Sequence, residues 1–195
     1  MLYSIGRVIV GFLYWLLFRM EARGVSNIPA EGPVIICSNH KSMLDPFTLA
    51  LKVPREMHFM AKAELFRVPI VAPLIRALGA FPVKRGAISK ETIRTAVDLL
   101  RQGKVMGIFP EGTRNATLGP AKRGAVTIAI RSGATVVPAA LIGNYKPFRK
   151  MIAVYGKPVD LAPYAEEGTA EAQEKATELI MSKIRYMLET GQPSE

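Results

Sequence analysis

His40, one of two histidines in the chain, stands in the polar run Ser38-Asn39-His40-Lys41-Ser42-Met43-Leu44-Asp45-Pro46, with a carboxylate five positions on. On a continuous helix those two side chains would differ by about 140° and face apart. If His40 lies in a turn and Asp45 caps the next helix, the loop can fold the carboxylate back onto the imidazole. That arrangement fixes the tautomer through one ring nitrogen and leaves the other as a base. The alternative is an aspartate that only caps its helix beside a solvated histidine, and the spacing alone leaves both open. A second stretch, Phe109-Pro110-Glu111-Gly112-Thr113-Arg114, follows an apolar run and reads as a strand-end turn. Gly112 would free backbone N–H groups there, Thr113 and Arg114 would add donors, and the planar arginine fork suits phosphate oxygens. Lys122 and Arg123 follow closely. Gly79-Ala80-Phe81-Pro82-Val83-Lys84-Arg85-Gly86 repeats the pattern, with two cations just past a strand. Surface turns with solvated cations are the alternative for both stretches.

These loops need a scaffold that brings strand ends together. Val34–Cys37 is a short continuous apolar run, the mark of a buried strand. Asp45-Pro46 reads as an N-cap followed by proline at the first helical position, opening a helix to about Lys52. Met57–Ala61, Ala80–Val83, Val105–Phe109, Thr135–Leu141 and Met151–Tyr155 read as strands. Ser89 is placed to cap an amphipathic helix over Lys90–Gln102, with further helices over Gly124–Arg131 and about Glu171–Glu189. Glu64–Leu78 mixes helical spacing with Pro69 and Pro73. Strands alternating with helices argue an α/β layered domain whose sheet is mainly parallel or mixed. In such sheets ligands bind outside strand ends, which raises the standing of the three loops above. Neither a Walker A loop nor a Gly-x-Gly-x-x-Gly fingerprint occurs, which disfavours a nucleotide-cradling fold. Two histidines and the single Cys37 supply too few ligands at metal spacing, so no metal is expected, and His58 is read as structural.

The 195 residues, 49% hydrophobic and 22% charged, are enough for one domain with a real core. A lone cysteine cannot form an internal bridge, which favours a reducing compartment. The net charge of +10 is uneven, +15 before residue 160 and −5 from there on, and a field that positive calls for an anionic partner. A nucleic-acid module would need a basic helix or an aromatic-studded sheet; here the cations are scattered or gathered at strand ends, so nucleic acid is not expected. The first residues point to lipid instead. The uncharged stretch Val8–Phe18 between Arg7 and Arg19 would span only about 16 Å as a helix, short of the ~30 Å hydrocarbon core. Arg19, Glu21 and Arg23 stand where a signal peptidase site would need small residues. Residues 1–22 are therefore read as an interfacial helix, with Tyr3, Phe12, Tyr14, Trp15 and Phe18 among lipid chains, and 23–195 as the domain proper. A helix packed on the domain is the competing reading.

In combination these stretches resemble the glycerolipid acyltransferases, specifically the 1-acyl-sn-glycerol-3-phosphate (lysophosphatidic acid) acyltransferases of PlsC type. Asn39-His40-Lys41-Ser42-Met43-Leu44-Asp45 matches the Asn-His-x-Ser-x-x-Asp block, with Lys41 where many members carry Gln. Phe81–Gly86, Phe109–Arg114 and Val136-Val137-Pro138-Ala139 match the next three blocks in order, so the resemblance covers roughly residues 25–160. It implies His40 as general base and Asp45 as its orienting partner. Lys84, Arg85, Gly112, Thr113 and Arg114 would hold the acceptor phosphate, and Asn39, Ser42, Glu111 and Pro138 would organise the site. No cofactor is implied beyond the acyl-CoA or acyl carrier protein co-substrate. The expected reaction acylates lysophosphatidic acid to phosphatidic acid for phospholipid synthesis. It would take place at an anionic membrane surface, on the cytoplasmic face of the cell membrane, by a peripheral or monotopic protein. Glycerol 3-phosphate or another lysophospholipid is the alternative acceptor, and a non-catalytic lipid-binding protein the alternative class.

Overall fold

A strand that returns to its sheet through a helix re-enters in the same direction, so the alternating pattern should yield mostly parallel pairs. The computed structural model describes residues 8, 11, 12, 14, 16–69, 71–77, 79–83, 89–114, 117–119 and 121–195. Within them seven strands form one sheet: β1 (Arg19–Arg23), β2 (Val34–Ser38), β3 (Met57–Lys62), β4 (Ala80–Val83), β5 (Val105–Ile108), β6 (Thr135–Gly143) and β7 (Lys150–Tyr155). Their order is β1-β7-β6-β2-β5-β3-β4, and every neighbouring pair is parallel except β6 with β7. The helices are α1 (Asp45–Leu51), α2 (Val71–Ala77), α3 (Lys90–Arg101), α4 (Gly124–Ser132), α5 (Ala162–Glu167) and α6 (Ala170–Thr190).

Both faces of the sheet are covered, which is why β2 is apolar at successive positions. Ile35 and Cys37 point into a cluster with Leu100 of α3, Ile128 of α4 and Ile180 and Ile184 of α6. Val34 and Ile36 point the other way, to Leu49 of α1, Met57, Phe59 and Tyr155. Two helix starts form as their sequences dictate: Ser89 Oγ accepts the Thr92 N–H at 3.1 Å, and Thr169 Oγ1 the Ala172 N–H at 3.0 Å.

Two segments depart from the sequence reading. Arg19–Arg23, expected to continue the N-terminal helix, is an edge strand paired in register from Arg19↔Lys150 to Arg23↔Val154. Its period-two signal was present, with Met20 and Ala22 turned to the core between charged neighbours. Glu21 pairs there with Arg23 and Lys150. Of the aromatics expected among lipid chains, Tyr14 and Phe18 are instead buried against Leu51 and Met151, and Phe18 meets Tyr14 and Tyr145 edge-on at 5.2 and 5.7 Å. Val8, Phe12, Leu16 and Leu17 are exposed. Tyr3, Arg7 and Trp15 lie outside the described residues. Among the described residues no helix is long and apolar enough to cross a membrane.

Candidate active site

The site begins where β2 leaves the sheet. Asn39 extends the β2–β6 ladder with its side chain: Nδ2 donates to the Leu141 carbonyl at 3.2 Å and Oδ1 accepts the Leu141 N–H at 2.8 Å. Leu141 thus stays satisfied while the backbone turns away at His40. Asp45 does not cap α1, as the sequence reading had it; Leu44 takes the N-cap position and Asp45 is the first helical residue. Its Oδ2 reaches back to accept the Lys41 and Ser42 N–H groups at 2.6 and 2.7 Å and lies 2.8 Å from His40 Nδ1. The helix start and the preceding loop so form the fold-back arrangement, not the solvated one. Tyr145, from the β6–β7 connection, donates its hydroxyl to Asp45 Oδ1 at 2.6 Å. Burial drives the Asp45 carboxyl up, but the four hydrogen bonds, from His40, Tyr145, Ser42 and Lys41, outweigh it and hold the group below the usual carboxylate range. An ionised carboxylate can only accept, so the His40 Nδ1 carries the proton between them and Nε2 keeps its lone pair. The imidazole lies on the Phe109 ring, centroids 4.1 Å apart and 15° from parallel.

His40 opens onto a cavity of about 910 Å³ at the carboxyl ends of β2, β5, β3 and β4. Gly112, Thr113 and Arg114 line it, and so do Lys62 and Lys122. Gly112 has a φ of +70°, the left-handed region in which a side chain would be strained. Glu111 is buried: one carboxylate oxygen accepts the His40 N–H at 3.1 Å and the other the Gly119 N–H at 2.8 Å. It ties the turn after β5 to the turn after β2, where the sequence suggested only an organising role. Gly107 has no room for a side chain, since a Cβ there would sit 2.1 Å from the Phe59 ring. That ring in turn backs Phe109, their planes 16° apart.

The remaining expected site residues divide. Ser42 Oγ accepts the Leu44 N–H at 3.1 Å within the loop. Lys84 and Arg85 lie outside the described residues. Pro138 is buried in β6 opposite Cys37 and does not line the cavity. Its carbonyl accepts from Gly156 and that of Val136 from Val159, so its missing N–H falls on the same side, where the chain from β7 bows away and a ladder donor is not needed. Cys37 is fully buried, and its thiol is pushed up to about 12 by burial. His58 places Nδ1 3.0 Å from the Gly79 carbonyl, away from His40. Among the described residues no group of three or more His, Cys, Asp or Glu could hold a metal. Lys62, Tyr145 and Thr48 escaped the sequence reading, and Tyr14 was read only as a lipid-facing aromatic. Lys62 ends a strand and could have been found on that ground, whereas Tyr145 reaches Asp45 across 100 positions and carries no local signal.

A mainly parallel sheet that sets a half-buried histidine against a buried aspartate, with cations around a cavity at its carboxyl edge, suits a group-transfer enzyme. The chain belongs to the Acyltransferase family, whose model matches residues 19–142. It is 36% identical over 167 residues to the 1-acyl-sn-glycerol-3-phosphate acyltransferase of Bacillus subtilis (strain 168), covering 83% of this chain and 84% of that one. It is 34% identical over 134 residues to the chloroplastic BAT2 enzyme of the same name from Brassica napus, where it spans 66% of this chain but 39% of the relative. In fold it matches the crystal structure of the 1-acyl-sn-glycerophosphate acyltransferase PlsC from Thermotoga maritima, with a TM-score of 0.74 at 24% identity over 96% of this chain and 78% of that one.

Proposed function

We propose that the protein moves a fatty acyl group from a thioester donor, acyl-CoA or acyl carrier protein, to the free hydroxyl of 1-acyl-sn-glycerol 3-phosphate. The product, phosphatidic acid, would serve phospholipid synthesis. The observation that carries the reading is the 2.8 Å contact between His40 Nδ1 and a fully buried Asp45 at the cavity. His40 Nε2 removes the acceptor hydroxyl proton while the oxygen attacks the thioester carbonyl. Asp45 stabilises the imidazolium so formed. The tetrahedral intermediate collapses with loss of the thiolate, which takes the proton back from Nε2, so the base is regenerated. The acceptor hydroxyl fills the nucleophile's role directly: Cys37 is sealed in the core and Ser42 is held within its loop.

Arg114, Thr113 and Gly112 line the cavity beside His40 and suit the acceptor phosphate, with Lys84 and Arg85 assigned to it from their sequence block. A phosphate contact exists in ground and transition states alike. Arg114→Ala should therefore raise the acceptor KM roughly tenfold or more with kcat little changed. A loss confined to kcat in steady-state kinetics would remove Arg114 from phosphate binding.

The reaction is placed at an anionic membrane surface, on the cytoplasmic face of the cell membrane; the exposed Val8, Phe12, Leu16 and Leu17 support the contact with lipid. Deleting the N-terminal segment would strip Tyr14 and Phe18 from the core, so charge is the better probe. Val8→Asp with Leu16→Asp should cut co-sedimentation with phosphatidylglycerol vesicles several-fold at an unchanged melting temperature. Undiminished sedimentation would place the contact elsewhere.

The direct test of the reaction is acyl transfer in mixed micelles, with labelled acyl-CoA or acyl carrier protein as donor and lysophosphatidic acid or glycerol 3-phosphate as acceptor. Label in phosphatidic acid, lost with His40→Ala, is expected. Transfer to glycerol 3-phosphate in its place would move the acceptor assignment, and no transfer to any lysophospholipid would favour a lipid-binding protein.

A further inference from the structure

We propose that Tyr145 is a positioning residue that sets the strength of the base, acting on His40 through Asp45, with Thr48 behind it. This rests on His40 and Asp45 acting as proposed above. The Tyr145 hydroxyl lies 2.6 Å from Asp45 Oδ1, the carboxylate oxygen that His40 does not use. Because the carboxylate only accepts, the single phenolic proton is committed to it. The 2.9 Å contact between Tyr145 Oη and Thr48 Oγ1 then needs its proton from Thr48. Thr48 is fully buried on α1, one turn after Asp45, and lies 3.2 Å from the hydroxyl of Tyr14, which donates to the Leu44 carbonyl at 3.0 Å. Thr48 also meets the Leu44 carbonyl at 3.1 Å, so its one proton has three acceptors, and its donation to Tyr145 is the weaker link behind the phenol's bond to Asp45.

The consequence for His40 has a definite sign. Charge donated from Asp45 to Tyr145 is charge withheld from the imidazolium. Without the phenol the carboxylate becomes a stronger acceptor, the protonated imidazole is favoured, and the base stays protonated to higher pH. Among the described residues the other groups facing this pair are few. Lys41 approaches Asp45 but spends its ammonium on the Gly143 carbonyl at 2.8 Å, Tyr14 stands behind Thr48, and Glu111 holds the His40 backbone N–H. Lys62, Glu64, Arg114 and Lys122 line the cavity beyond His40. None of these is altered by removing the Tyr145 oxygen.

The test is the pH dependence of kcat/KM for acyl transfer by wild type, Tyr145→Phe and Thr48→Val, with His40→Ala as reference. Tyr145→Phe keeps the ring that meets Phe18 edge-on, so the fold should persist. Its acid limb should move up by roughly half to one pH unit, while kcat on the plateau should change by less than about tenfold, because the bond to Asp45 is present in ground and transition states alike. KM for the acceptor should stay within about twofold. Thr48→Val should move the limb the same way by less. An acid limb for Tyr145→Phe that overlays wild type, or moves down, overturns the proposal, even if the variant is less stable or less active. A His40→Ala protein that retains transfer would instead remove the base reading on which it rests, and the two failures are told apart by that reference.

Discussion

His40→Ala is expected to lower kcat/KM for acyl transfer by roughly 10²–10⁴, the span that a positioned general base contributes. The loss should lie mainly in kcat, since proton removal by the ring belongs to the transition state. The backbone is not at risk: the His40 N–H that meets Glu111 survives the change, and so do the Lys41 and Ser42 N–H groups on Asp45. What disappears besides the base is the stack on Phe109 and the Nδ1 hydrogen bond to Asp45, which keeps its bonds from Tyr145, Lys41 and Ser42. Circular dichroism and the melting temperature should therefore stay close to wild type, so that the kinetic loss reports chemistry. Activity above about a tenth of wild type would remove His40 from the base role.

Asp45→Asn should produce a loss of roughly 10²-fold, and the reason it is not larger lies in the local geometry. An asparagine beside a histidine can turn its NH₂ toward the ring and force the wrong tautomer. Here the oxygen that faces His40 Nδ1 is pinned by the Lys41 and Ser42 N–H groups, at 2.6 and 2.7 Å. The amide oxygen must occupy that place and the NH₂ must take the side facing Tyr145. The tautomer is kept; the charge that stabilised the imidazolium is lost. The acid limb of kcat/KM should accordingly move down. Stability carries a matching signature. The Asp45 carboxyl titrates below its usual range in the fold, so its contribution is present above the ordinary carboxyl pKa of about 3.9 and disappears as pH falls through the depressed folded value. Urea unfolding should show wild type losing stability over that acidic window more steeply than Asp45→Asn. Parallel curves would mean that the carboxylate is not the anchor of the loop.

The two variants separate what a base does from what its partner does. Arg114 sits in the same cavity but acts on substrate alone, which is why its expected effect falls on KM. Glu111 belongs to neither group: it joins two loops through backbone N–H groups, and a carboxylate spent on them does not oppose a phosphate as a free one would.

Much of the architecture followed from local rules. The apolar runs at Val34–Ser38 and Val105–Ile108, the Ser89 cap and the alternation of strands with helices each depend on neighbours within a few residues, and each forms where it was expected. The membership of His40, Gly112, Thr113 and Arg114 in loops at strand ends, and the place of Asp45 at a helix start, were legible for the same reason. Tertiary structure alone decided which way Asp45 points. A carboxylate at a helix start can cap forward or reach back, and both satisfy the same local sequence. Here two upstream N–H groups, the imidazole and a phenol delivered from the β6–β7 connection favour reaching back. The same holds for Tyr14 and Phe18, whose apolar bodies suit lipid or core equally until Leu51 and Met151 are brought beside them. Contacts made across a hundred residues leave no period in the chain that makes them, and in this protein one of them, from Tyr145, joins three local hydrogen bonds in holding Asp45 below the usual carboxylate range.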